Sequence, residues 1–152
     1  MTDAILFNSA TPRFTFPMLY SAQAQKELCV NESLAILDAA LHCNIEGTSA
    51  TPPTAPINGS NWLVAASATG AWTGQDNNIA CYQNGNWIFL MPKLGMNVFD
   101  HSLQQYRHFG GVWQNATTPS IPTGGTVVDT QARTAIANLI SALTEAGLFA
   151  GT

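Results

Sequence analysis

The chain has 152 residues, enough for one domain, and 46% of them are hydrophobic, but only 9% are charged where an ordinary soluble domain carries about 25%. Its net charge is −4 and its five basic residues, Arg13, Lys26, Lys93, Arg107 and Arg133, are scattered, so the clustered basic footprint that nucleic acid needs is missing. No run approaches the roughly 18 apolar residues of a membrane helix, and residues 1–10 lack the basic start and apolar stretch of a signal peptide. A surface this poor in charge suits permanent partners, sugars or a repetitive assembly. Cys29, Cys43 and Cys81 contain no CxxC pair, and the odd count argues against both a disulfide framework and a zinc site. They read as small buried hydrophobes in a reducing compartment.

The first element falls within residues 11–44. Thr11-Pro12 and Phe16-Pro17 hold the start extended. Ser21 is placed to cap a helical stretch through Gln25, Leu28 and Cys29. Asn31 precedes a second stretch in which Leu34, Leu37 and Leu41 recur at helical spacing, widened by Ile36 and Ala40. The block is therefore one kinked helix or two short ones. Residues 47–60, with three prolines among Ser and Thr, predict a loop.

From residue 61 the pattern changes to strands. Trp62-Leu63-Val64 is a short apolar run, and Thr69-Gly70 and residues 74–78 are turns. Residues 79–83 and 86–90 flank Asn84-Gly85, the preferred pair for a type I′ hairpin turn. That turn sets Tyr82 opposite Trp87, Ala80 opposite Phe89 and Cys81 opposite Ile88. One face carries Tyr82, Trp87 and Phe89, the other Ile79, Cys81, Ile88 and Leu90. With both faces apolar, the hairpin is buried on two sides or offers one side to a ligand or partner. Residues 96–99 and 104–113 predict two more strands, with Gly110-Gly111 a bulge or sharp bend. The expected sheet is small, mostly antiparallel and about four to six strands wide.

Residues 115–126 form a linker rich in Thr, Pro and Gly. In the segment 127–152, Asp129 or Thr130 caps a final helix and Gly147 ends it. Ala132, Ile136, Leu139 and Leu143 are spaced four, three, four, with Ala135 and Ile140 beside them. This stripe either docks on the domain formed by residues 1–114 or pairs with other copies. The fold class is α+β: an N-terminal helix or helix pair, a small sheet with an Asn-Gly hairpin, and a C-terminal helix.

Chemistry is sparse. The chain has no phosphate loop, dinucleotide fingerprint, zinc-protease or serine-hydrolase motif. Asp100 and His101 are neighbours, and on a strand their side chains point to opposite faces. No enzyme activity, cofactor or metal is expected. The tryptophans are more suggestive, since an indole stacks on a sugar ring while its N–H donates a hydrogen bond. Trp72 lies beside Gln75 and Asp76 in a polar loop, and with Tyr82 and Trp87 these are the candidate glycan contacts. The competing expectation is that the aromatics fill the core.

Several stretches resemble a known family. They are Thr11-Pro12-Arg13-Phe14, then Ser21-Ala22-Gln23-Ala24-Gln25-Lys26-Glu27, then Val30-Asn31-Glu32-Ser33-Leu34 running to Leu37-Asp38. Trp62-Leu63-Val64, Gly70-Ala71-Trp72-Thr73-Gly74, Gly85-Asn86-Trp87-Ile88-Phe89 and Pro92-Lys93-Leu94-Gly95 are similar to its strand motifs. The family is an uncharacterised domain found in tail-fibre and spike proteins of tailed phages and gene transfer agents, and the resemblance covers residues 11–113. It implies a virion component made in the bacterial cytoplasm, near a receptor-binding appendage, and no catalytic residues. The implied partners are other virion proteins, further copies of the chain (a trimer, as fibres usually are), and host surface polysaccharide. The alternative is a free-standing carbohydrate-binding module.

Overall fold

A computed structural model describes residues 10–11, 13, 16–19, 24–125 and 129–150. Ser21, expected as a helix cap, and Pro12 lie outside the described residues.

The first helix is continuous. α1 spans Lys26–Ala40 with Asn31 in its interior, so Asn31 caps nothing and the expected break is absent. Gln25 begins it in the left-handed region, at φ 53°, without a side-chain cap. The helix buries Ala35, Ile36 and Ala39. The leucines at 34, 37 and 41 are exposed. The helix thus turns Ile36 and two alanines inward, where the alanines permit close approach to the strand Asn86–Leu90, and its leucines outward.

Two four-stranded sheets follow where one was expected. The first has the order β1-β6-β7-β8, from Asn44–Ile45, Asn97–Asp100, Gln105–Phe109 and Trp113–Asn115. The second has the order β2-β3-β4-β5, from Thr48–Ser49, Asn61–Val64, Ile79–Gln83 and Asn86–Leu90. The split comes from residues 44–49. Instead of remaining loop beyond Gly47, this stretch gives one two-residue strand to each sheet, both parallel to their partners. The Phe99 N–H donates to the Cys43 carbonyl at 3.0 Å, and the Leu63 N–H donates to the Gly47 carbonyl at 2.9 Å. A strand this short is invisible to a pattern of alternation.

The Asn84-Gly85 hairpin forms in the expected register, with Tyr82 opposite Trp87, Ala80 opposite Phe89 and Cys81 opposite Ile88. Both turn residues have positive φ, 49° and 84°. The Asn84 N–H also donates to the Asn58 side-chain oxygen at 2.7 Å, which braces the tip. The stretch 104–113 is not one bent strand. It reverses at residues 110–112 into the antiparallel pair β7 and β8, and Trp113 pairs with Phe109.

The main core joins the two sheets and α1 through Ile36, Cys43, Ile45, Leu63, Ile79, Leu90 and Val98. A second cluster, Val64, Ala68, Trp72 and Ala80, lies on the other face of the second sheet, with Trp62, Trp87 and Phe89 against it.

α2 spans Thr130–Glu145 and begins as expected, with the Asp129 carboxylate accepting the Ala132 N–H at 2.9 Å. It ends in a Schellman turn: the Leu148 N–H donates to the Leu143 carbonyl and the Gly147 N–H to that of Thr144, both at 2.9 Å. No residue of this helix is buried. Its anchor is the turn that follows. The Tyr106 N–H donates to the Gly147 carbonyl at 2.6 Å, and Gly147 lies against the Tyr106 and Phe99 rings. Residues 116–125 form no helix or strand and are exposed throughout.

Candidate functional site

The five expected glycan contacts do not form one surface. Trp72 is fully buried, so the expectation that it stacks on a ligand is corrected. Its position follows from the loop that carries it. The chain leaves β3, turns at Ser67 with φ 61°, and is held there by Asp76, whose carboxylate accepts the Ser67 N–H at 3.0 Å and the Ala68 N–H at 3.1 Å. This clamp folds the short 3-10 turn Gly70–Trp72 back over the sheet, and the indole becomes a plug above Ala80 and Val64. Asp76 is exposed, but its carboxylate is engaged in the clamp. Gln75 accepts from the Asn78 side-chain amide at 2.8 Å. Both act on the loop's own conformation.

Tyr82 and Trp87 do meet. Their rings lie 5.0 Å apart, tilted by 56°, and both are half-buried. Trp87 also sets an edge on Trp72, with centroids 5.0 Å apart and planes at 85°. Trp72 thus supports the Tyr82–Trp87 pair from below. Type and register made this pair legible in the sequence. The burial of Trp72 was not, because it depends on a clamp formed between residues eight and nine apart.

The α2 stripe faces solvent. Ile136 is 39% and Leu139 59% exposed, Ala132 is exposed, and Leu143 is half-buried. The residues expected to dock or oligomerise are therefore left largely uncovered by the described residues of the chain.

The sequence reading missed a third surface. A groove of about 950 Å³ runs between α1 and the tip of the hairpin, lined by Leu34, Leu37, Leu41 and Ile88 and rimmed by Glu32 and Asp38. The helical spacing of the leucines was visible, but not that Ile36 and the alanines would take the inward side.

No group of three His, Cys, Asp or Glu side chains among the described residues is arranged to hold a metal ion. Asp100 is buried and committed. Its carboxylate accepts from the Ser102 N–H at 2.9 Å, the Ser102 hydroxyl at 2.6 Å and Arg107 Nε at 2.7 Å. Burial pushes its pKa up, but the Ser102 hydroxyl and the Arg107 guanidinium outweigh this and hold the carboxyl below its ordinary value. His101 is exposed and lies 3.9 Å from Glu46. Burial pushes the Cys43 thiol up to about 12, with a further contribution from Cys81, whose own thiol is raised by burial and by Asp38. None of Cys29, Cys43 and Cys81 is joined in a disulfide. Among the described residues no helix is long and apolar enough to cross a membrane.

No curated protein matches the chain. A family model described as "Protein of unknown function (DUF2793)" matches residues 30–114, from within α1 to β8 and short of α2. The match spans more than half of the sequence and covers both sheets up to Gln114 in β8, and the chain belongs to that family.

Proposed function

We propose that the chain is a structural component of a phage-like particle, a fibre, spike or spike-base protein that assembles through its terminal helix and serves attachment to the host surface. The observation that carries this reading is α2. A 16-residue amphipathic helix with no buried residue is marginal in water and gains stability by covering its apolar stripe. The charge-poor surface suits permanent association, and the motifs between residues 11 and 95 resemble those of tail-fibre and spike proteins. The expected partners are further copies of the chain, in threes, and other virion proteins. This reading places the protein in the virion and assigns it no catalytic residue. Light scattering over a concentration series tests it: the full chain forms a defined oligomer and Leu139→Asp shifts it to monomer, whereas a wild-type monomer at every concentration overturns the proposal.

The Tyr82–Trp87 pair favours a second reading, a carbohydrate-binding module recognising cell-surface polysaccharide. Both residues are half-buried, and Trp87 rests its ring against Trp72. Titration of host polysaccharide against the wild type and Trp87→Ala separates the two. Equal affinity removes this pair from consideration.

A further inference from the structure

Two apolar seams are left largely uncovered by the described residues of the chain, and their spacings match in reverse. On α1 and its C-cap, the residues facing away from the core are Val30, Leu34, Leu37 and the capping Leu41, exposed by 37%, 56%, 40% and 61%. They are spaced four, three, four, so they form a narrow stripe of the coiled-coil kind opposite the buried Ala35, Ile36 and Ala39. On α2 the stripe Ala132, Ile136, Leu139 and Leu143 has the same spacing. Set antiparallel, the two stripes give four layers: Val30 with Leu143, Leu34 with Leu139, Leu37 with Ile136, and Leu41 with Ala132. Large side chains meet at three layers, and Ala132 meets the leucine at the fourth.

Charge selects the same register. In this arrangement Asp38 and Arg133 flank the gap between the Leu37–Ile136 and Leu41–Ala132 layers on the same side, where antiparallel helices place facing side chains. Ala40 and Ala135 flank it on the other side and let the backbones approach. Asp38 already rims the groove beside α1. Arg133 donates to the Pro122 and Gly124 carbonyls, and among the described residues its guanidinium has no carboxylate partner and Asp38 has no cationic one.

We infer that α2 of one copy docks antiparallel on the α1 seam of another copy, with Asp38 and Arg133 paired across the contact. This rests on the assembly function proposed above and names its contact. A second copy is the occupant because the chain's own α2 is tied by Gly147 to Tyr106 and Phe99 of the first sheet, whereas α1 packs on β5 of the second. The interface is heterologous, α1 to α2, and the rotation it imposes sets the number of copies at which the ring closes.

The test uses full-length chains substituted at exposed positions, with circular dichroism as the check on folding. Leu34→Asp and Leu139→Asp are each expected to weaken self-association on the order of a hundredfold. Asp38→Arg and Arg133→Asp are each expected to weaken it about fivefold, and the chain carrying both recovers the loss. Mixing Leu34→Cys copies with Leu139→Cys copies under oxidation gives a disulfide-linked heterodimer that neither forms alone. Assembly that survives Leu34→Asp and fails with Leu139→Asp overturns the inference and leaves the assembly function standing, since α2 then pairs with α2. A disulfide formed only within single chains bearing both cysteines also overturns it, because the chain's own helix is then the occupant. A wild-type chain that never self-associates overturns the assembly function itself.

Discussion

The Arg107 guanidinium donates at 2.7 Å to the carboxylate of Asp100, a residue with no solvent-exposed surface. The same carboxylate holds the turn from Asp100 to Gln105 through Ser102 and Leu103. Removing the charge leaves the largely buried guanidinium uncompensated, so Asp100→Asn is expected to cost about 3 kcal/mol in chemical denaturation. The folded-state pKa of Asp100 lies below its ordinary value, so its contribution to stability is present above the unfolded pKa and is lost as pH falls through the folded one. Denaturation midpoints measured from pH 6 downward should fall once the pH passes below about 4, and the fall should be shallower in Asp100→Asn.

Gly147 holds α2 to the domain under two constraints at once. Its φ is +73°, and a Cβ built on it meets the Tyr106 ring at 3.2 Å and the Phe99 ring at 3.3 Å. Gly147→Ala is therefore expected to cost more than the ~1 kcal/mol of the backbone penalty alone. Amide exchange reads the local effect: the Tyr106 N–H, which donates to Gly147, should exchange faster, while amides of the Asn84-Gly85 hairpin should be unchanged.

Trp72 is a core residue, and its substitutions should behave as core substitutions. Trp72→Ala is expected to cost about 3–5 kcal/mol. Trp72→Phe should cost much less, because the indole N–H has no hydrogen-bond partner among the described residues and loses nothing on removal. Thermal unfolding of the two variants separates packing from polar contribution.

The thiols should differ in reactivity. Cys43 is buried with its pKa pushed up to about 12, so little thiolate exists at pH 8.5. Cys29 is half-buried on α1. Alkylation of the native protein followed by mass spectrometry should label Cys29 first, and Cys43 only under denaturing conditions. Early labelling of Cys43 would contradict its place in the core.

The sequence was most informative where a local rule decides the structure. The Asn84-Gly85 pair requires positive φ at two adjacent positions, and the whole hairpin register follows from it. Asp129 and Gly147 bound α2 for equally local reasons. What the sequence concealed depended on distant partners. Thr48 and Ser49 become a strand only because β3 lies beside them. Leu34 and Leu37 carry a stronger apolar signal than Ala35 and Ala39, but the alanines go inward because β5 packs against that side of the helix. Asn31 is a good cap by type, but the helix runs through it. For the candidate site, the Tyr82–Trp87 pair and the spacing of the α2 stripe were legible, whereas the exposure of that stripe and the α1 groove were not.

The brief parallel strands also dictate an order of events. The β4–β5 hairpin closes between neighbours in the chain, at little entropic cost. β1 has no partner until Phe99 and Asp100 have been synthesised and paired with β7. Thr48 and Ser49 can pair with β3 early, so Asn44 and Ile45 are the late half of a clasp that joins the two sheets. A nascent chain that has not yet delivered Asn97 holds a hairpin and a helix but cannot close its core.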